Sequence, residues 1–244
     1  MGTITLEKSL IEEWINYIEH MDDIVVVELG DFIASGYTYG WNGAYPTSSL
    51  VEFNIDVNSF EEYDVGCNRI GINLRKLYSI VNFETDIVQL NYDDGSLFVG
   101  DYDSRTIQAI SPDNIYQRKK VELNNYTQVV SLESNEFIRL LNEIAHGNGY
   151  IDMYIFDNKF HVSPCGDEKK IEINSNIHYS DENIHTAFNP MVLDVIGDVV
   201  PKNIEIDIKF GDKYPIEVSW GFQNGTGVVK YTLSPYMYWD DDVK

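Results

Sequence analysis

The sequence predicts an α+β fold of two similar domains, each with two helices packed on antiparallel sheet. The order helix, hairpin, strand, helix, hairpin, strand occurs twice, at an offset of roughly 115 to 127 residues, which indicates a structural duplication. The 244 residues, 43% of them hydrophobic, are enough to form two cores. A polar stretch separates the repeats, so we place the domains at residues 1–112 and 129–244, with a connecting linker at 113–128.

The first half begins with an amphipathic helix, because apolar residues recur at helical spacing from Leu10 to Met21. Ser9 and Glu12 have the spacing of a capping box at its start. A second helix is expected after Asn73, whose side chain would cap it. Alternating and β-branched segments predict two strands within 24–38, one within 49–63, a hairpin over 87–103 turning at Asp94-Gly95, and a strand over 104–111.

The second half repeats this order. Its first helix has an apolar face of four residues: Phe137, Leu140, Leu141 and Ile144. Gly147 suits the C-terminal cap of this helix, and the second helix would begin at Pro190 after its cap Asn189. Strands are predicted in a hairpin over 150–162 turning at Asp157-Asn158, a strand over 169–176, a hairpin over 204–222 and a closing strand after Gly225.

The acidic composition argues against binding to nucleic acid or anionic lipid by bulk charge. The chain carries 40 Asp plus Glu against 17 Lys plus Arg, a formal net charge of -23. Phosphate backbones and anionic membranes attract a basic surface instead. A strongly acidic chain suits concentrated salt, where self-repulsion is screened. We therefore expect a halophilic source.

Two cysteines, Cys67 and Cys165, lie far apart and lack partners at metal-ligand spacing, which is typical of free thiols in a reducing compartment. The N-terminus has no basic segment followed by an apolar one, and no apolar run has the length of a membrane span. We expect a cytoplasmic protein with no membrane contact.

The sequence contains no motif typical of a catalytic or metal site. It lacks a nucleophile elbow, a phosphate-binding loop, a zinc-protease helix and a CxxC pair. His178 and His185 lie near acidic residues, but between a predicted strand and a predicted helix, so a solvated loop is favoured over a metal site. We expect no catalytic residue, no metal, no cofactor and no enzymatic activity.

Three short motifs, in this order and spacing, are typical of one family. Phe60 and Tyr63 form a Phe-x-x-Tyr pattern at the end of a strand, and Gly71-Ile72-Asn73-Leu74 opens a helix. Leu233-Ser234-Pro235 follows the closing strand, in place of a Leu-Ala-Pro motif. The chain thereby resembles the sliding clamps of archaea and eukaryotes, the PCNA family, over nearly all of residues 5–239. This resemblance implies the DNA clamp fold. Together with the acidic composition it implies a halophilic archaeon or its virus as the source, and thus the cytoplasm of an archaeal cell or of a virus-infected host.

The resemblance further implies a homotrimeric ring that encircles double-stranded DNA without reading its sequence. Helices would line the hole, and the strand over 104–111 would pair with the strand over 169–176 of a neighbouring subunit. The expected partners are DNA polymerase, the clamp loader and other proteins that carry a PCNA-interacting peptide, which the ring tethers to DNA. The implied interface residues are Arg105, Ile107, Ala109, Lys170, Ile171 and Ile173.

Members of this family bind partner peptides in a groove between the interdomain linker and the last strand, through apolar anchors. Seven positions match that groove: Leu50, Val121, Leu123, Pro215, Leu233, Ser234 and Pro235. Gly43, Thr47 and Ser48 stand where larger or apolar groups are usual, and Tyr236 replaces a basic residue. We expect a groove with altered partner preference and an exposed apolar lip at Leu233-Ser234-Pro235.

The ring-lining helices depart further from the family, whose members carry Lys or Arg there. Arg139 matches a basic position, and Arg75 and Lys76 supply charge nearby, so these three are the expected DNA-facing residues. Acidic residues occupy other lining positions: Glu12, Glu13, Glu19 and Asp198. In molar salt, bulk cations already compete with basic side chains for the phosphates, so the loss of those side chains costs little binding free energy. We hypothesise that hydrated cations bridge these acidic helices to DNA.

Two other functions stay open on the sequence. One is a subunit of a heterotrimeric or checkpoint-type clamp. The other is an acidic interaction module that binds basic partners and does not encircle DNA. The reversed charge of the first helix supports this second alternative.

Overall fold

The structure is a computed structural model of the chain. It describes residues 2–19, 23–30, 33–41, 48–64, 69–82, 86–93, 96–100, 105–111, 114, 126–144, 150–164, 171–180, 185–222 and 225–235. The chain forms two compact units. The first unit takes in 1–40, 50–119 and 221–229, and the second takes in 41–49, 120–220 and 230–244. The domain boundaries expected from the sequence stay a prediction.

The described residues of the first half form strands and helices in an order close to the predicted one. In chain order these are β1 Gly2–Glu7, α1 Lys8–Ile18, β2 Ile24–Leu29, β3 Ile33–Trp41, β4 Ser48–Asp56, β5 Glu62–Asp64, β6 Arg69–Asn73, α2 Leu74–Val81, β7 Ile87–Asp93, β8 Ser96–Val99 and β9 Arg105–Gln108. A single 3-10 turn over Val57–Ser59 separates β4 from β5.

The second half gives the same series again. Its elements are β10 Gln128–Glu133, α3 Ser134–Ile144, β11 Ile151–Phe156, β12 Lys159–Pro164, β13 Ile171–Ile173, β14 Asn176–Ser180, β15 His185–Phe188, α4 Pro190–Val199, β16 Glu205–Phe210, β17 Ile216–Gly221 and β18 Gly227–Leu233. Because helices and strands follow in identical order in both halves, the predicted duplication is confirmed.

Sheet topology repeats as well. In the first unit one sheet has the order β5-β1-β7-β8-β9, and in the second unit the order is β14-β10-β16-β17-β18. The remaining strands run in the orders β4-β3-β2-β6 and β13-β12-β11-β15, and β4 continues the strand order from β18. The beginning of β18, Gly227–Val229, belongs to the first unit and lies beside β4. There the Asp56 amide donates to the Thr226 carbonyl over 2.9 Å.

The helices bury the faces that their sequence patterns predict. In α3 the buried set includes all four expected residues: Phe137, Leu140, Leu141 and Ile144. In α1 the expected residues Leu10, Trp14 and Tyr17 are buried. A Cβ atom at Gly197 of α4 would lie 2.7 Å from Cδ1 of Leu141, so the missing side chain allows close helix packing in the second unit.

The start of α1 differs from the predicted capping box. The helix begins at Lys8, and Glu7 before it makes no side-chain cap. Ser9 donates its hydroxyl hydrogen to Glu7 instead, with Oγ 3.1 Å from Oε2. The Lys8 amide donates to the Asp86 carbonyl over 2.8 Å, so a tertiary contact satisfies a helix-start amide. The capping-box prediction for Ser9 and Glu12 is therefore wrong.

Three other local predictions are confirmed. Asn73 caps α2, because its Oδ1 accepts the Lys76 amide over 3.0 Å. Pro190 is the first residue of α4. Asp157 and Asn158 have φ values of 51° and 56°, the left-handed conformation that a two-residue hairpin turn requires.

The predicted loop around two histidines is wrong. His178 lies within β14, and His185 begins β15. Residues 176–180 pair with β10 and residues 185–188 pair with β11, so both histidines belong to strands. The predicted turn at Asp94-Gly95 lies outside the described residues, although the pairing of Asp93 with Ser96 leaves two residues for it. Met21 and Gly147 also lie outside them.

Candidate functional site

The expected partner groove is described in part. Pro215 precedes β17, and Ser234 and Pro235 follow β18; all three are half-buried. Leu233, the last residue of β18, is only 2% exposed, so the expected exposed lip does not include it. Leu50 is half-buried in β4 of the first unit. Val121 and Leu123 lie outside the described residues.

The sequence analysis did not single out Tyr126, which lies near the end of the predicted linker 113–128. Its hydroxyl donates to Oε2 of Glu217 over 3.2 Å, and its ring meets that of Tyr214 edge-on at 5.4 Å between centroids. Tyr214 immediately precedes Pro215 of the expected groove. The first described residue after 125 is therefore held next to the predicted peptide site of the second unit.

Glu217 is a buried carboxylate, 4% exposed, at the centre of a polar cluster. Nζ of Lys209 lies 2.9 Å from Oε1, and Nζ of Lys230 lies 3.4 Å from Oε2. The two lysines come from β16 and β18, the neighbours of β17 in the sheet. A buried carboxylate is tolerated when paired and hydrogen-bonded in this way. We refer to Tyr126, Lys209, Glu217 and Lys230 as the Glu217 cluster.

The expected subunit interface falls on two edge strands. Among the described strands, β9 has a neighbour on one side only, and so does β13. Ile107, Ile171 and Ile173 are buried within their own units. Because these side chains are inaccessible, a neighbouring subunit would pair with the backbone amides and carbonyls of β9 and β13. The side chain of Arg105 and the whole of Lys170 lie outside the described residues.

The far end of the predicted interface strand is already occupied. Ile110 forms a bridge with Gly71 of β6: each amide donates to the other's carbonyl, over 2.9 and 3.0 Å. Ala109, just before this bridge, is half-buried. A strand added to this edge would therefore pair along β9 rather than over the whole predicted stretch.

The expected DNA-facing arginines are held by acidic neighbours. Arg75, whose side chain is 78% exposed, lies with Nε 2.7 Å from Oδ1 of Asp23. Arg139 contacts Glu136 at 2.8 Å and Glu143 at 2.6 Å, within α3. The hydrogen bonds that Arg139 donates to these two carboxylates, Glu136 first, raise its pKa above the ordinary value. These cations are thus largely neutralised locally.

Lys76 is the third expected DNA-facing residue. It is exposed in the first turn of α2, and its amide belongs to the cap formed by Asn73. No acidic group within 4.0 Å of its ammonium is found among the described residues. Of the three predicted residues, Lys76 therefore presents its charge most directly.

Acidic residues on α1 have local partners, whereas the two on α4 repel each other. Glu12 lies 3.6 Å from Nζ of Lys8, and Glu13 accepts the hydroxyl hydrogen of Tyr17. Asp194 and Asp198 are one turn apart on α4. Burial first, and the charge of Asp198 second, raise the pKa of Asp194. The sequence analysis identified Asp198 but missed Asp194, whose perturbation depends on tertiary packing.

A serine, a histidine and an aspartate meet in the second unit. Ser131 Oγ lies 2.6 Å from Nε2 of His178, and the same hydroxyl donates to Oδ1 of Asp207. These residues stand on the neighbouring strands β14, β10 and β16. In a catalytic triad the carboxylate orients the histidine, whereas here it accepts from the serine itself. The contact is therefore a cross-strand tie.

The described part of the chain has neither a metal-ligand cluster nor a membrane-spanning helix. In the described ranges, no three His, Cys, Asp or Glu side chains gather as metal ligands. Within the same ranges, no helix is long and apolar enough to cross a membrane.

Comparison with curated proteins found several sliding clamps. No protein-family model matches the chain. The DNA polymerase sliding clamps of Haloarcula marismortui and Halobacterium salinarum are 23% and 22% identical to it, and each match covers 76% of this chain and 80% of the relative. The DNA polymerase sliding clamp of Methanosarcina mazei is 24% identical, over 75% of this chain and 78% of the relative.

Solved structures give the same fold. The PCNA of A. fulgidus, bound to the C-terminal region of FEN-1, matches with a TM-score of 0.82 and 15% identity over 98% of this chain and 100% of that one. The PCNA of Thermococcus kodakaraensis matches with a TM-score of 0.77 and 15% identity, over 97% of this chain and 100% of that one. At this identity the structural likeness speaks for the fold.

Proposed function

Because the chain is related to the archaeal DNA polymerase sliding clamps and has the PCNA fold, we propose that it is a DNA polymerase processivity factor that encircles duplex DNA as a homotrimeric ring. Relatives in halophilic archaea and the net charge of -23 support a halophilic source for it.

The repetition of edge strands carries this proposal. In the repeated strand order, β18 has the same position as β9, and β4 has the same position as β13. The beginning of β18 lies beside β4 in the first unit. A pair between β9 of one subunit and β13 of the next would repeat that arrangement. A head-to-tail contact of this kind closes a ring when the rotation allows it, and closure leaves neither edge exposed.

A closed ring acts on DNA by topology. It needs no base contacts and only loose phosphate contacts, so it slides while it keeps a bound polymerase at high local concentration. No reaction takes place in this mechanism, and no catalytic group is required. The tie between Ser131, His178 and Asp207 has a structural role here, holding β14 to β10.

Partner proteins would dock by a peptide at the predicted groove. The A. fulgidus PCNA is bound to the C-terminal region of FEN-1. We place the corresponding site of this chain at Pro215, Ser234 and Pro235, with Tyr126 fixing the adjoining end of the linker. DNA polymerase and clamp loader are the expected partners. Gly43, Thr47 and Ser48, which depart from the family beside the groove, would alter which of these partners binds well.

Contacts with DNA would be weak and dependent on cations. Arg75 and Arg139 already have carboxylate partners, so a phosphate has to compete for them. Hydrated cations between phosphates and the acidic α1 and α4 helices would supply the attraction that basic side chains supply elsewhere. This feature also favours the second candidate function, an acidic module that binds basic proteins without encircling DNA.

Processivity on circular DNA separates these functions. The chain is added with its loader to a haloarchaeal polymerase on a primed circle, in low salt and in molar KCl. We expect longer products on the circle and no such gain once the circle is cut, because a ring slides off a free end. No gain at either salt would contradict the proposal and favour the acidic module.

Mass measurement across a KCl series tests the assembly. A single species near three times 28.0 kDa is expected. If the chain instead reaches that size only after other clamp subunits are added, it belongs to a heterotrimer. A monomer at every salt concentration would contradict the ring.

A further inference from the structure

The core of the first unit contains an apolar cavity of about 50 Å³. Leu6 and Leu90 line it from one sheet, Val27 and Ile72 from the other, and Trp14 from α1. All five side chains are buried, none more than 6% exposed. A cavity needs roughly 10 to 15 Å³ to hold one water, and apolar cavities well above that size stay dry and bind apolar guests.

This cavity reaches the surface at the edge strand β5. Phe60, just before β5, is half-buried and Asp64, its last residue, is exposed, and both line the cavity. Tyr63 stacks on Phe60 at 5.2 Å between ring centroids and holds this ring in place. A ligand therefore has an access route past one aromatic ring and one carboxylate, and that carboxylate disfavours an anion.

Among the residues that line the cavity, Trp14 carries a buried polar group. Its indole Nε1 is buried and has no hydrogen-bond partner among the described residues. The ring is held against Phe53, with centroids 4.9 Å apart. The ring of Phe53 lies where a side chain at position 36 would extend, because a Cβ atom added to Gly36 would lie 2.3 Å from Cζ of Phe53. A buried N–H without an acceptor is unfavourable, so an acceptor brought by a ligand would be stabilised there.

We propose that this cavity binds a small neutral apolar molecule with one hydrogen-bond acceptor, such as a short-chain ketone. The apolar walls accept its hydrocarbon part, Asp64 disfavours anions, and Trp14 donates to the acceptor. Binding to the folded chain alone raises the melting temperature by mass action. This site is separate from the groove and the strand edges and does not depend on the proposed clamp function.

Two probes test the site on the full chain: 2-butanone, which has an acceptor, and xenon, which has none. In ¹H–¹⁵N spectra, butanone should shift the indole signal of Trp14 saturably. The indole of Trp220, a buried tryptophan of the second unit, should not shift. Xenon should shift the methyl signals of Leu6 and Leu90. Trp14→Phe assigns the indole signal and should lower butanone affinity about fivefold, the loss of one hydrogen bond, without weakening xenon binding.

A filled cavity provides the matched control. Val27→Ile adds one methylene to the wall and should weaken both probes, whereas Val162→Ile, in the core of the second unit, should not. Melting curves without ligand verify that both variants fold. Equal affinities in the two variants, no saturable shift of Trp14, or equal shifts of Trp14 and Trp220 would each overturn the proposal.

Discussion

The hydroxyl of Tyr126 donates a hydrogen bond to the buried carboxylate of Glu217, 3.2 Å away. This bond connects the end of the predicted linker 113–128 to β17, while Lys209 and Lys230 hold the same carboxylate from the two neighbouring strands. The predicted peptide site of the second unit thus adjoins a polar cluster rather than a purely apolar wall.

Replacing Glu217 by Gln should destabilise the chain. The two ammonium groups would lose their buried carboxylate partner, and we expect the free energy of unfolding to fall by about 2 kcal/mol. Glu172→Gln is the control, because Glu172 pairs with Lys159 at 2.9 Å in an exposed setting. Its loss should be below about 0.5 kcal/mol. Urea titration measures both, and equal losses would show that burial does not strengthen the cluster.

Tyr126→Phe should affect peptide binding more than folding. The phenyl ring keeps its contact with Tyr214 but loses the hydroxyl, so unfolding should cost about 1 kcal/mol less. The linker end is then held less firmly, and affinity for a PCNA-interacting peptide should fall about threefold. Calorimetry measures this affinity. Tyr78→Phe, at an exposed tyrosine of α2, should leave it unchanged; a fall in both would show a nonspecific effect.

Gly227→Ala should disrupt the beginning of β18. A Cβ atom there would lie 2.1 Å from the Asn54 carbonyl oxygen and 3.0 Å from Cα of Ile55, and neither backbone atom moves without the strand. We expect a loss of about 2 to 3 kcal/mol in unfolding free energy. Val228→Ala changes the exposed neighbour and should stay within about 0.5 kcal/mol. A much smaller loss of unfolding free energy for Gly227→Ala would mean that β18 and β4 lie farther apart than these distances indicate.

Asp194→Asn should raise thermal stability at neutral pH. The folded pKa of Asp194 is raised, chiefly by burial, so the charged form is disfavoured and stability falls as pH rises from the ordinary value of 3.8 through the folded pKa. The gain in melting temperature should be full at pH 7 and absent below about pH 3.8. Asp198→Asn should give a smaller gain, which molar KCl removes by screening. A gain independent of pH would contradict the assignment to Asp194 ionisation.

Releasing Arg139 should strengthen DNA binding at low salt. The double variant Glu136→Gln, Glu143→Gln removes the carboxylates that hold the guanidinium. If the ring encloses DNA as proposed, each freed arginine adds about one phosphate contact, and log affinity against log salt becomes steeper by about 0.9 per contact. Fluorescence anisotropy with duplex DNA gives the slope. Glu61→Gln, at an exposed carboxylate outside α3 and outside the proposed interface strands, is the control, and an unchanged slope would remove Arg139 from the DNA-facing set.

Local signals in the sequence predicted most of the element order. The face of α3, the cap at Asn73 and the turn at Asp157-Asn158 depend on neighbours a few residues apart, and each was confirmed. The capping box failed because a contact between Lys8 and Asp86 took its place. That contact joins residues distant in sequence, which spacing alone does not reveal.

The features of the candidate site that the sequence did not predict depend on contacts between strands distant in sequence. Glu217 gains its role from Lys209 and Lys230 on adjacent strands, and His178 becomes part of a strand by pairing with β10. Leu233 was expected on an exposed lip, yet it faces the core at the end of β18. The predicted residues Val121 and Leu123 lie outside the described ranges, and their role stays a prediction.

The place of residues 221–229 in the first unit has a consequence during synthesis. The first unit's other residues end at 119, so a ribosome needs on the order of 5 to 20 s more to deliver the segment that lies beside β4. Over that interval β4 carries an unpaired edge, the kind of surface on which nascent chains aggregate or recruit chaperones. The beginning of this protein therefore completes its fold only when nearly the whole chain has been made.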